Sequence, residues 1–221
     1  TVEQQDARPE WWQQLLDAID EAQADGLPMR GQVPPRATGV LMGLTATLNP
    51  FSFHPSFGAI AIEPLEKQVE MLRDPEVRAK LLAEEPIDIG VPLITEIITS
   101  YHKMFRLGEP ANYEPAPEDS LAALAEAEGT TPQELALDLL LEKNGRALIY
   151  HPLFNYLPGN LDFVEKMLRH PHTVFGLSDG GAHCGTICDA ASPTFMLEYW
   201  VRDRKKGRIS LARAIKQQCR D

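Results

Sequence analysis

Four segments near the end of the chain constrain its fold more than any other feature. ALIYHPLF (147–154) and TVFGLS (173–178) are short apolar runs, whereas NLDFVEKMLRH (160–170) and SPTFMLEYWVRDRKKG (192–207) have helical spacing. Strand, helix, strand and helix with short connections are typical of a parallel β/α arrangement. Both runs lack the polar alternation of a one-sided sheet. The sequence therefore predicts an α/β fold.

The preceding segments are predicted to be mainly helical. A helix is expected over 9–26 and an interrupted strand with a long loop over 27–53. Residues 64–146 read as a helical excursion, in which a Pro-rich acidic connection at 108–120 precedes a helical hairpin. Its two cap signals are Ser120 and either Thr130 or Thr131, the latter with Glu134 placed for a capping box.

Composition excludes several classes of partner and location. The formal net charge of -11 argues against a nucleic acid or an anionic membrane as partner, because both require a concentrated positive face. Three cysteines are an odd and sparse set, which favours a reduced compartment over a disulfide scaffold. No apolar run reaches the roughly 18 residues of a membrane span, and the first residues lack a signal-peptide profile. We therefore expect a cytoplasmic protein.

Asp179 is the first candidate for function, because it directly follows the second apolar run. In parallel β/α folds the chemistry collects at the carboxyl ends of the strands. Gly180 and Gly181 would allow a sharp turn and a close approach by a metal or substrate. An isolated Asp-Gly pair also commonly only caps a turn or the next helix, and spacing alone leaves both interpretations open.

Several blocks resemble one enzyme family in the same order along the chain. They are PPRATGVLMGLTATLNPFSFHPSF, NYLPGNLDFVEKMLRHPHTVFGLSDGGAH and GLSDGGAHCGTICDAASPTFMLEYWVRDR. These blocks resemble metal-dependent amidohydrolases of the branch that contains the N-acyl-D-amino-acid deacylases, or D-aminoacylases. The resemblance extends from about residue 10 to the end of the chain.

The resemblance implies the carboxyl-terminal portion of a distorted (β/α)8 TIM-like barrel with a helical insertion, in which residues 147–221 form the last β/α units. One or two zinc-like ions would polarise the scissile amide carbonyl of an N-acyl-D-amino acid and activate water. Asp179 matches the aspartate that accepts a proton from this water, passes it to the leaving amine and sometimes touches the metal.

Four residues are candidates for substrate binding. Arg36 could bind the carboxylate of a D-amino acid bidentately, although a structural arginine is an equal alternative. Asn155 follows the first apolar run on the expected rim. Gly180 and His183 lie beside Asp179, and a hydrogen-bonded loop histidine is as good an interpretation of His183.

The chain also departs from the family pattern. The family's paired histidines, its bridging Cys, Glu or modified Lys, and its two single histidines have no counterpart here in family context. A chain that supplies one ligand out of about four or five cannot hold zinc in catalytic geometry. We therefore expect the isolated chain to be inactive, to bind zinc poorly and to self-associate through exposed barrel edges. A non-catalytic fragment or a partner-dependent assembly module is the alternative.

Two motifs are expected to be decoys. His170-Pro171-His172 precedes the strand that ends at Asp179, and seven residues at about 3.3 Å each place it roughly 20 Å away. Cys184 and Cys188 lack a second pair to complete a zinc site.

Overall fold

The helices follow the segments whose apolar residues recur at helical spacing. The structure, a computed structural model, describes residues 1–178, 185–187 and 189–219. Its helices are α1 Trp11–Ala24, α2 Phe57–Ala61, α3 Leu65–Arg73, α4 Pro75–Leu82, α5 Pro92–Thr99, α6 Leu121–Glu128, α7 Pro132–Gly145, α8 Asp162–Arg169, α9 Ser192–Phe195 and α10 Leu211–Cys219. A π-helix, Met196–Asp203, continues α9, and 3-10 turns cover Tyr101–Lys103 and Pro117–Asp119.

The strands are short and form two small sheets. They are β1 Gly31–Val33, β2 Gly39–Met42, β3 Phe105–Arg106, β4 Ile149–Pro152 and β5 Thr173–Phe175. β1 pairs with β5 in parallel, and the second sheet has the order β2–β4–β3 with β3 antiparallel to β4. The fold is thus mixed α/β, as predicted. Among the described residues the strands do not close into a barrel.

The pairing departs in one respect from the parallel pattern read in the sequence. The predicted strand-helix-strand segment corresponds to β4, α8 and β5, but β5 pairs with β1, whereas β4 lies between β2 and β3. Strands of three or four residues contain too little pattern to select their own neighbours. Their partners are therefore decided by packing rather than by local sequence.

The chain divides into two compact units. One comprises residues 1–38 and 152–221, and the other comprises residues 39–151. In the first unit α1 and α8 bury apolar faces, and the rings of Trp12 and Phe163 lie 5.5 Å apart. Its fully or nearly fully buried residues include Leu16, Ile19, Val33, Val164, Met167, Leu168, Met196, Trp200 and Ala214.

The second unit has a helical core. α7 packs against both α3 and α6. Ser120 caps α6 by accepting a hydrogen bond from Ala123 N, and Thr131 and Glu134 form the capping box of α7. The cap prediction for Ser120 is therefore confirmed, and of the two alternatives Thr130 and Thr131 the structure selects Thr131. Its buried apolar residues include Leu72, Leu81, Ile98, Met104, Leu121, Ala125, Leu137, Leu140 and Ile149.

In the part of the chain that the structure describes, no helix combines the length and the apolar composition required to cross a bilayer.

Candidate functional site

The candidate site lies where the parallel strands β1 and β5 end, here called the carboxyl edge. Gly31 pairs with Thr173 and Val33 with Phe175, and the Gly176 amide donates to the Val33 carbonyl at 3.1 Å. Parallel neighbours end on the same side of a sheet. The segments after Val33 and after Phe175 therefore leave the sheet together.

The backbone after β5 is constrained. A Cβ on Gly176 would lie 2.5 Å from the Gln32 Cβ, so only glycine allows this close approach of the two strands. The next residue, Leu177, has a φ of 67°. A left-handed conformation at a leucine costs free energy and persists only where the surroundings enforce it, and such strain is common at functional sites. The strained residue lies two positions before Asp179.

Asp179, Gly180 and His183 lie outside the described residues, as do Cys184 and Cys188. The catalytic role of Asp179, its contact with metal and the substrate contacts of Gly180 and His183 therefore remain predictions.

Arg36 lies at the carboxyl edge, three residues after β1. Its side chain is buried, and Nη2 donates to Asp189 Oδ1 at 3.3 Å. The guanidinium carbon lies 5.9 Å from the centroid of the Phe195 ring. Burying a guanidinium and a carboxylate carries a desolvation cost, which their close pairing offsets. The predicted substrate residue is therefore fixed by an internal carboxylate.

Trp200 holds the backbone next to Arg36. Its indole is fully buried, and Nε1 donates to the Pro35 carbonyl at 2.5 Å. Because Trp200 belongs to the π-helix that continues α9, this bond links the helical segment to the residue preceding Arg36. A change at the carboxyl edge is therefore expected to change the NMR signal of the Trp200 indole N–H.

Asp189 is the functional candidate that sequence reasoning missed. It lies in ICDAASP, where an acidic residue shortly before Ser192 and a proline looks like part of a helix start. Its carbonyl does accept the Ser192 amide at 2.9 Å. Its side chain, however, is buried against Arg36. The one sequence signal that could have identified it is the high density of small residues around Asp189 in ICDAASP.

Asn155 is fully buried and serves a contact within the chain. It has a φ of 65°. Its Oδ1 accepts a hydrogen bond from the Gln4 backbone N–H at 2.7 Å, and its own backbone N–H donates to the Gln4 backbone carbonyl at 2.9 Å. Asn155 thus anchors the amino-terminal segment. Its Nδ2 has no hydrogen-bond partner within the described ranges, which leaves both N–H groups of this atom for the predicted substrate contact.

Two further histidines are core residues of the unit formed by 39–151. His151 is fully buried within β4. His54 packs on the ring of Phe51 at 5.2 Å between centroids, and burial lowers its pKa.

The His170-Pro171-His172 motif lies at the amino end of β5, as predicted. The His172 carbonyl accepts the Gly31 amide at 3.0 Å, and His170 Nε2 lies 3.2 Å from Asp20 Oδ2. The motif is therefore at the end of the sheet opposite to the carboxyl edge.

The described residues do not supply a zinc site. Within 1–178, 185–187 and 189–219, no three His, Cys, Asp or Glu side chains are grouped as metal ligands. The one ligand that the resemblance assigns, Asp179, lies outside these ranges.

Comparison of the chain with family models, with curated proteins and with solved structures finds no match.

Proposed function

We propose that the chain carries the carboxyl-terminal part of the catalytic (β/α)8 barrel of a metal-dependent amidohydrolase, similar to the N-acyl-D-amino-acid deacylases. Residues 64–146 would be a helical insertion, and residues 147–221 the last β/α units. The enzyme would hydrolyse the amide C–N bond of an N-acyl-D-amino acid or a related amide, in the cytoplasm. The ordered blocks that resemble this family support the proposal.

One structural observation carries the proposal: the parallel pairing of β1 with β5. It brings Arg36 and the run that ends at Ser178 to the same edge of a sheet. Asp179 is the next residue in the sequence. In α/β enzymes the carboxyl ends of parallel strands are where substrates bind. A cation for the substrate and a carboxylate for proton transfer would then share one edge.

Asp179 would act as general base and then as general acid. Water attacks the amide carbonyl, Asp179 accepts its proton, and the proton passes to the nitrogen as the C–N bond breaks, yielding a carboxylic acid and an amine. Zinc, when bound, would polarise the carbonyl and lower the pKa of the attacking water. Its remaining ligands would have to come from outside the described residues.

Arg36 would bind the carboxylate of the amino-acid portion. A guanidinium carries five N–H donors, which exceeds the number that one carboxylate uses. Asp189 would hold the guanidinium in place and, by its negative charge, weaken the attraction of the guanidinium for a second carboxylate. Removal of the Asp189 charge should therefore strengthen the binding of a substrate carboxylate.

The binding test uses the indole N–H of Trp200 as reporter. In ¹H–¹⁵N spectra of the 221-residue chain, an N-acetyl-D-amino acid should shift the Trp200 indole signal with millimolar affinity, which corresponds to about 4 kcal/mol. The L enantiomer should bind more weakly. The indoles of Trp11 and Trp12, both in α1, serve as internal controls.

Two variants and one control sharpen this test. Arg36→Gln should weaken binding about tenfold through loss of a charge-assisted hydrogen bond, and Asp189→Asn should strengthen it. Arg30→Gln is the matched control, since Arg30 is exposed and donates to the Pro171 carbonyl at the amino end of the sheet. Equal binding by Arg36→Gln and the unaltered chain would contradict the proposal.

The isolated chain should nevertheless be inactive and should bind zinc poorly. Elemental analysis after purification without chelator, together with an assay of N-acetyl-D-amino acid hydrolysis, checks this expectation. Stoichiometric zinc with turnover would show that the chain or a second copy supplies the metal ligands that have no counterpart here in family context. Specific amide binding without turnover would distinguish an incomplete hydrolase from a non-catalytic assembly module.

A further inference from the structure

A polar cavity lies at the amino end of β5, away from the carboxyl edge. Its volume is about 520 Å³, within the range of small-molecule sites. It belongs to the unit formed by residues 1–38 and 152–221. Its walls are formed by His170, Pro171, Thr173, Ser210, Ala212, Arg213, Lys216 and Gln217.

The charged groups of this cavity favour an anion. Arg213 and Lys216 are cationic, and no acidic residue is among the lining residues that the structure describes. Asp20 contacts the lining residue His170, with its Oδ2 3.2 Å from His170 Nε2. The amino end of α10 also faces the cavity, through Ser210 directly before the helix and Ala212 in its first turn, and the amino end of a helix attracts negative charge.

Two side chains of α10 are held in fixed orientations by one carbonyl. Arg213 Nη2 and Gln217 Nε2 both donate to the Leu168 carbonyl, at 3.0 and 2.8 Å. Leu168 lies in the last turn of α8, where a helix presents carbonyl groups. The bond from Nε2 also defines the orientation of the Gln217 amide, because the opposite orientation would place two oxygens together.

This arrangement leaves one donor and one acceptor for a ligand. Gln217 is only 5% exposed, and within the described part of the chain neither its Oε1 nor the buried Nε of Arg213 has a hydrogen-bond partner. Buried polar atoms without partners are costly, and a ligand or water commonly satisfies them. A matching ligand would be an anion that accepts from Arg213 and also carries a hydrogen for Gln217.

We propose that this cavity binds a phosphate group accompanied by a hydroxyl hydrogen, either as inorganic hydrogen phosphate or as a phosphomonoester with a neighbouring alcohol. Arg213, Lys216 and the first turn of α10 bind the anionic oxygens. Gln217 Oε1 accepts the hydroxyl hydrogen. Sulfate has the same shape and charge but no hydrogen at neutral pH, so Gln217 discriminates against it.

Calorimetric titration of the 221-residue chain at constant ionic strength, slightly above neutral pH, tests the proposal. Inorganic phosphate should bind at one site at least about tenfold more tightly than sulfate, the scale of one hydrogen bond to a charged group. Glycerol 3-phosphate binding more tightly than inorganic phosphate would identify a phosphorylated metabolite as the ligand. The reverse order would identify inorganic phosphate. Methyl phosphate, which lacks a hydroxyl and is mostly dianionic at this pH, should behave like sulfate.

Variants separate the hydrogen bond from the charge. Gln217→Met removes the acceptor and should reduce phosphate binding to the level of sulfate. Lys216→Gln should weaken both anions by about threefold to fivefold, as expected for an exposed charge. Lys205→Gln, at an exposed position that does not line the cavity, should change neither affinity.

Equal affinity for phosphate and sulfate, absence of binding, or an equal effect of the Lys205 and Lys216 variants would overturn the proposal. All readouts are binding constants for inorganic or simple organic phosphates. The result is therefore independent of amidohydrolase activity.

Discussion

Arg36 and Asp189 meet although 153 positions separate them. Their side chains are buried, so each neutralises a charge that water would otherwise stabilise. The sequence identifies Arg36 as a candidate ligand for a carboxylate, and the structure places a carboxylate of the same chain beside it. The sequence could not predict the partner because no local spacing relates the two residues.

Breaking this pair should destabilise the fold. Arg36→Gln and Asp189→Asn should each lower the free energy of unfolding by about 3 kcal/mol, because each leaves an uncompensated buried charge. The double variant should lose less than the sum of the two single losses. Urea denaturation followed by circular dichroism measures these differences.

The exposed pair Lys67–Glu70, at 3.0 Å, is the matched control. Lys67→Gln should change the free energy of unfolding by less than about 1 kcal/mol, as is usual for surface ion pairs. Losses of the same size at Arg36 and Lys67 would show that burial of the Arg36–Asp189 pair has no energetic consequence.

At the scale of elements, local signals and tertiary contacts contribute differently. The capping box of α7 involves only residues 131–134 and could be predicted from their order. The pairing of β1 with β5 could not, because its strands are three residues long and far apart in sequence. Gly176 is a local feature that permits a tertiary contact, because its missing side chain allows the approach of Gln32.

Gly176→Ala should disturb the pairing of β1 with β5. The added Cβ would lie 2.5 Å from the Gln32 Cβ, so the backbone must shift, at a cost of about 1 to 3 kcal/mol. Gly58→Ala in α2 is the control, because a Cβ there meets nothing within 4 Å. It should be neutral or stabilising by about 0.5 to 1 kcal/mol. Thermal unfolding of both variants measures the two effects. A Gly176→Ala protein with the stability of the unaltered chain would contradict the close approach of Gly176 and Gln32.

The α7 capping box should contribute stability in a pH-dependent way. Hydrogen bonds from the Thr130 hydroxyl and from the Thr131 amide and hydroxyl lower the pKa of Glu134. A lowered folded-state pKa means that the charge contribution is complete above the unfolded-state pKa and is lost as the pH falls through the folded-state pKa. Denaturation of Glu134→Gln and the unaltered chain should therefore differ at neutral pH and converge in acid.

Thr131→Ala provides the companion measurement, because it removes the hydroxyl that accepts from the Glu134 amide at 3.2 Å. Loss of this cap should lower stability by about 1 kcal/mol at neutral pH. If the free energies of unfolding of Glu134→Gln and of the unaltered chain differ by the same amount at every acidic pH, these hydrogen bonds do not lower the pKa of Glu134.

For the whole molecule, the division into two compact units has a direct consequence. Residues 39–151 are continuous in sequence and contain their own buried helical core. The other unit is assembled from the two ends of the chain. The insertion predicted for 64–146 thus lies inside a larger compact unit.

We expect the isolated segment 39–151 to fold. It should give a helical circular dichroism spectrum and a cooperative urea transition, because a continuous segment with its own core can behave as a domain. Leu140→Ala, at a fully buried position, should lower its stability by about 2 to 5 kcal/mol. A broad, non-cooperative transition would show that the segment depends on the remainder of the chain.

The sequence by itself determined the features that arise within a few residues. Helix periodicity, the cap at Ser120, the cap at either Thr130 or Thr131, the mixed α/β class and the placement of the His170-Pro171-His172 motif before β5 all depend on short-range sterics and hydrogen bonds. Only the tertiary structure decided that β5 pairs with β1, that Asp189 neutralises Arg36 and that Asn155 anchors Gln4. These contacts join distant segments, and their free energy comes from burial and pairing that no local pattern encodes.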